Sequence, residues 1–143
     1  MPTITIASAD LPAARRRAVA LSITRWLTGR GVRGAHVVVR FETADEERVF
    51  TGGWPVAALP RPADGDGLHH ASVICCVSPD RDDEFRSALA AHISDALGVT
   101  PHSPFFYLEF RPTSPADVYI AAAGPLHRSD LPVGTDGSEG QPR

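Results

Sequence analysis

The sequence predicts an α/β fold of two β-α-β repeats, joined into one four-stranded sheet with both helices on one face. Three observations predict it. Apolar alternation and helical stripes follow in the order strand, helix, strand, hairpin, and that order occurs twice. A Gly-Val pair ends each predicted helix, at Gly31–Val32 and Gly98–Val99, and the two pairs lie 67 residues apart. Two such units with parallel strands and right-handed crossovers set both helices on the same side of the sheet. The other face is then bare, and a chain of 143 residues has no third layer to cover it. Association of copies is the expected cover.

Thr3–Ala7 alternates threonine and isoleucine, the pattern of a short strand. Asp10 and Pro12 open a helix that runs to about Gly29, with Val19, Ile23, Trp26 and Leu27 on one stripe; Gly31 and Gly34 end it. His36–Phe41 is a β-branched strand, and Val49–Gly53 is a short strand closed by a glycine pair. Proline and glycine make Ala57–Gly67 a loop. The second half repeats the order with a strand at Ala71–Val77. Ser78 reads as an N-cap, Pro79 as the first helical residue, and acids follow in the first turn. Phe85, Leu89, Ile93, Ala96 and Leu97 form the second apolar stripe, and Gly98 closes it. Strands at Phe105–Phe110 and Asp117–Ala122 complete the repeat. The expected organisation is a single domain over residues 1–126 (repeat one 2–53, loop 54–70, repeat two 71–124). Polar residues 127–143 form a disordered tail.

Composition excludes several chemistries. The net charge is -3, against the basic excess expected of a nucleic-acid-binding domain, and no apolar run is long enough to span a membrane. All 14 basic residues counted as Lys or Arg are arginine. A lysine Schiff base and a P-loop lysine are therefore both excluded. Cys75 and Cys76 are adjacent in one apolar strand, so they form no disulfide framework, face opposite sides and belong to a reduced, cytoplasmic protein. The N-terminus lacks the pattern of a secretory signal. The histidines lack metal-ligand spacing, and no metal or cofactor is expected. Arg15–Arg17 reads as a solvated helix face, and Trp26 and Trp54 as core or interface.

The start Met1-Pro2-Thr3-Ile4 carries chemistry if Met1 is removed, because Pro2 then presents a secondary amine at the head of a strand. Such an amine, kept neutral by desolvation or a nearby cation, is a general base near pH 7. A Pro-initiated strand, helix, strand and glycine-pair hairpin, duplicated in one chain, resembles the tautomerase superfamily. Ala18–Thr24 and Val49–Gly53 are similar to the first helix and hairpin of the cis-3-chloroacrylic acid dehalogenase group. Asp80–Glu84 is similar to the helix opening of the short 4-oxalocrotonate tautomerases. The resemblance covers about residues 2 to 124, and macrophage migration inhibitory factor is a further branch of the same superfamily.

The resemblance implies a homotrimer and cofactor-independent proton transfer on a small enol or dienol carboxylate. It makes Pro2 the catalytic base, Arg81 the carboxylate-binding arginine and Tyr107 a further catalytic residue. On the bare sequence Arg81 reads first as a surface residue paired with Asp80, Asp82 or Asp83; the resemblance turns that preference towards the functional role. Arg40 and Arg111, at strand positions, are candidates for a second substrate-binding arginine. The chain also departs from the dehalogenase group. Leu27 stands in place of a histidine, Ser78 in place of an arginine, and Val118–Ala123 spans the place of a water-activating glutamate. Proficient dehalogenation is not expected. Two other readings stay open: a Pro2-dependent biosynthetic enzyme of iminium or hydratase-like type, and a catalytically inactive trimeric interaction protein.

Overall fold

The computed structural model describes residues 2–63 and 67–132. Among them, strand β1 (Thr3–Ser8) leads into helix α1 (Ala13–Thr28) and strand β2 (Val38–Thr43). A hairpin follows, β3 (Phe50–Thr51) and β4 (Trp54–Pro55). Strand β5 (His70–Val77), helix α2 (Asp83–Leu97) and strand β6 (Phe105–Pro112) form the second unit, followed by a hairpin of β7 (Tyr119–Ile120) and β8 (His127–Arg128). The sheet order is β2-β1-β5-β6. Pairing is parallel within each repeat and antiparallel between β1 and β5. The expected two-unit α/β architecture is the one observed.

Period-2 alternation decides which face each strand buries. Ile4 and Ile6 of β1 and Val73, Cys75 and Val77 of β5 point at the helices, where Val19, Ile23, Leu27, Leu89, Ile93 and Leu97 meet them. Truncating a side chain buried at this depth to alanine costs about 2–5 kcal/mol. Burial pushes the Cys75 thiol up to about 12, while Cys76 sits half-buried on the opposite face, so the two thiols divide as their alternation predicts. That opposite face is uncovered in the single chain. It carries the cross-strand rows Val38–Thr3–Cys76–Arg111, Arg40–Thr5–Ile74–Glu109 and Glu42–Ala7–Ser72–Tyr107.

The structure corrects three local expectations. Helix α2 starts at Asp83, not at Pro79: Ser78 accepts the Arg81 N–H at 3.2 Å, closing a turn with Pro79 inside it. Asp82 is the N-cap instead, its Oδ1 accepting the Phe85 N–H at 2.8 Å. His36 belongs to a short 3-10 turn, Gly34–His36, with β2 beginning two residues later at Val38. Ordered chain also runs past residue 126, because His127 and Arg128 pair with Ile120 and Tyr119. Residues 133–143 of the expected tail lie outside the described residues. Gly52 and Gly53 both have positive φ, 59° and 83°, which is what a two-residue hairpin turn demands.

Candidate active site

Three local features bring Pro2 and Arg81 together. Pro2 immediately precedes β1, and its carbonyl accepts the Val38 N–H at 3.1 Å. Because Thr3 pairs with Cys76, Pro2 falls beside Val77, the last residue of β5. The Ser78–Arg81 turn then folds back over that strand end. A cavity of about 20 Å³ is lined by Pro2, Val77, Ser78, Arg81 and Phe85. Pro2 is buried and Arg81 half-buried.

The arginine's neighbours explain why its charge is available. Asp82 is engaged as the helix cap, and Asp83 is engaged by Arg86, which also donates to the Arg81 carbonyl. Arg81 makes no ion pair among the described residues, so it is not paired with Asp82 or Asp83. Its guanidinium lies instead over the Phe85 ring, 4.4 Å from the centroid. A cation on an aromatic face keeps its N–H donors, which a carboxylate then accepts in bidentate fashion.

A larger cavity, about 300 Å³, lies at the other end of β1, lined by residues that include Asp10, Arg16, Glu42 and Thr43. Volume does not make it the better carboxylate site. Two carboxylates face it, and Arg16 is occupied, donating to the Leu11 carbonyl at 2.5 Å and lying 3.7 Å from Asp10. The small cavity has a cation without a counter-ion; the large one has acids that repel an anion.

The remaining sequence candidates lie elsewhere in the single chain. Tyr107 is exposed on the uncovered sheet face, level with Ser72. Arg40 is exposed on the same face of β2, level with Thr5. Arg111 is level with Cys76 and donates to Glu109 at 3.2 and 3.4 Å, and that carboxylate raises its pKa. None of the three lines the Pro2 cavity within one chain. His36 is buried and tilts against His127 at 6.0 Å. Burial lowers its pKa first, with Arg33, His127 and the amino terminus adding repulsion.

Sequence reasoning missed two groups. Phe85 reads as one more apolar residue on the α2 stripe, yet its ring carries Arg81. His69 and His70 read as loop residues, yet both are buried. His69 Nε2 lies 2.9 Å from the Val56 carbonyl, and His70 Nε2 lies 3.1 Å from the Ser72 hydroxyl. Glu46, also buried, accepts from Arg61 at 2.9 Å and lies 3.6 Å from His70 Nδ1. The Leu-His-His run before an apolar strand was the available signal. Among the described residues, no three His, Cys, Asp or Glu are gathered to hold a metal ion, and no helix is long and apolar enough to cross a membrane.

No protein-family profile and no curated protein matches the sequence. Solved structures do match the fold. A fused 4-OT described as a wild-type asymmetric trimer superposes with a TM-score of 0.60 at 15% identity, covering 84% of this chain and 93% of that one. N1, a member of the cis-3-chloroacrylic acid dehalogenase family, gives 0.64 at 15% identity, covering 84% and 80%. FG41 malonate semialdehyde decarboxylase inhibited by 3-bromopropiolate gives 0.53 at 17% identity, covering 82% and 86%. The chain shares the fold of these solved structures, which is the fold that the sequence resemblance implies.

Proposed function

We propose that this chain is a cofactor-independent tautomerase that uses Pro2, freed of Met1, as general base on a small enol carboxylate. The observation that carries the proposal is the meeting of Pro2 with an unpaired Arg81 at one cavity. Burial and the nearby guanidinium both disfavour the protonated amine, so its pKa is expected below the usual α-amino range of about 7.7–8.0. In the reaction the neutral amine takes the enol hydroxyl proton. The O–H electron pair forms the carbonyl as the C=C pair moves to the neighbouring carbon. The Pro2 ammonium gives its proton to that carbon and returns to neutral. Arg81 holds the carboxylate and draws electron density towards it, and no cofactor enters.

The cavity of one protomer has room for about one water molecule. The proposal therefore places the working site in a homotrimer, as in the fused 4-OT trimer of the same fold. Exposed Tyr107, Arg40 and Arg111 sit on the face that association covers, and there a neighbour's Tyr107 would steady the enolate and Arg40 or Arg111 would meet the substrate. The reduced, cytoplasmic setting inferred from Cys75 and Cys76, and the single-domain organisation, belong to the same proposal.

The test uses protein shown by mass to lack Met1. A nitrogen NMR titration is expected to place the Pro2 amine about one unit or more below the α-amino reference. Ketonisation of phenylenolpyruvate is expected, falling about 100-fold or more in Pro2→Ala with unchanged melting. An unshifted amine with no turnover would favour an inactive trimeric interaction protein, the reading supported by the missing histidine, arginine and glutamate. Borohydride trapping of a carbonyl probe on Pro2 would favour the iminium reading.

A further inference from the structure

Arg81 is held over Phe85, and what holds Phe85 is a tryptophan on the other helix. The Trp26 ring of α1 lies 5.5 Å from Phe85 of α2, tilted at 59°. Trp26 is itself fixed from two more directions. The Arg30 guanidinium lies 3.4 Å from its ring centroid and donates to the Trp26 carbonyl at 3.2 Å. His92 of α2 stacks on it at 5.8 Å, and the His92 ring is set by the Ser22 hydroxyl and carbonyl at 3.0 and 3.1 Å. A continuous series of ring and cation faces, Arg30–Trp26–Phe85–Arg81, thus runs from the end of α1 to the Pro2 cavity.

We propose that Trp26 is a positioning residue for Arg81: it fixes the Phe85 ring, and Phe85 fixes the guanidinium plane that receives the substrate carboxylate. The proposal rests on the reading of Arg81 as the carboxylate anchor and is independent of Pro2 as the base. Its physical logic is one of donors. An arginine oriented by a carboxylate gives up N–H groups to that partner, whereas one oriented by an aromatic face keeps its five N–H donors for the ligand. Phe85 alone is a single ring on the first turn of α2, and its orientation depends on what it packs against.

Crotonate, an unsaturated monocarboxylate, serves as the probe, with binding followed by the Arg81 Nε–H resonance. Trp26→Leu is expected to raise the crotonate Kd about fivefold. Trp26→Phe, which keeps a ring against Phe85, is expected to stay within about twofold. Leu89→Ala, a core truncation on the same helix, is expected to lower the melting temperature more than either and leave Kd unchanged. An unaltered Kd in Trp26→Leu, an equal rise in Leu89→Ala, or no crotonate response at Arg81 in the parent protein would each overturn the proposal. Phenylenolpyruvate turnover separates the two readings. A raised Kd in Trp26→Leu without any parent turnover sinks Pro2 as base and keeps Trp26. Pro2-dependent turnover with normal binding in Trp26→Leu does the reverse.

Discussion

At one end of the sheet Pro2 precedes β1 beside the turn that leads into α2; at the other, His69 and His70 precede and begin β5 beside the turn that leads into α1. These are equivalent places in the duplicated backbone. Thr3 and His70, and Val38 and Phe105, each stand 67 residues apart. The buried helix positions repeat at a different interval: Val19, Ile23 and Leu27 correspond to Leu89, Ile93 and Leu97, 70 residues on. The second repeat thus has three more residues before its buried helix positions, two in the longer β5 and one in the connection that holds the Ser78–Arg81 turn. At the β5 end the charges are countered, Glu46 by Arg61 and Arg16 by Asp10, while the buried Glu46 Oε2, His69 Nδ1 and His70 Nδ1 make no hydrogen bond among the described residues. At the Pro2 end a cation is left over. Duplication supplies two equivalent ends, and chemistry is located by which end leaves a charge without a partner.

Exchanging attention between the two arginines breaks this comparison most sharply. Arg81→Ala is expected to lower kcat/KM for phenylenolpyruvate about 100-fold, the loss of a charge-assisted bidentate contact, while Arg16→Ala stays within about twofold. Equal losses would mean that both ends bind substrate. The filled end is read out by stability instead. Glu46→Ala leaves the buried His70 without its carboxylate neighbour and removes the acceptor of the exposed Arg61, and urea unfolding should report a loss of about 1–3 kcal/mol with kcat/KM unchanged. Glu46→Gln keeps an acceptor for Arg61 and should lose less.

The smallest effect is a pH dependence. Burial lowers the His70 pKa below 6.5, with Glu46 opposing and His69 adding to the lowering, and burial lowers His36 likewise. The fold therefore holds both rings neutral, and the unfolded chain takes up protons first as pH falls through about 6.5. Stability from these groups is complete above that value and is lost below it. The melting temperature should fall by roughly 2–4 °C between pH 7 and pH 5, and His36→Gln with His70→Gln should flatten that slope. A slope that persists in the double variant would assign the acid sensitivity to carboxylates.

The fold was legible because its signals are local. Alternation in Thr3–Ala7, the stripes at Val19–Leu27 and Leu89–Leu97 and the 67-residue interval each use neighbours a few positions apart. The start of α2 was misread for a related reason. Ser78-Pro79 is a good opening for a helix, but Asp82 is a cap of equal quality four residues later, and the choice depends on where the apolar stripe meets the sheet. Of the candidate site, Pro2 and Arg81 were readable from the resemblance. Phe85 beneath Arg81 is a local contact, four residues apart, that depends on the turn before α2. Trp26 behind Phe85 and Glu46 beside His70 are contacts between distant segments, and no periodicity encodes them. Tyr107, Arg40 and Arg111 lie on the uncovered face, so their roles depend on a neighbour that one sequence does not describe.

The antiparallel pairing of β1 with β5 has a consequence for assembly. It gives each chain an approximate internal dyad that interchanges the Pro2 end and the His69 end. A threefold closure that treats both repeats alike must set its axis at right angles to that dyad. The proposed trimer then has two unlike poles, with three prolines gathered at one and three His69–His70–Glu46 clusters at the other. Substrate would enter and leave from a single side of the particle.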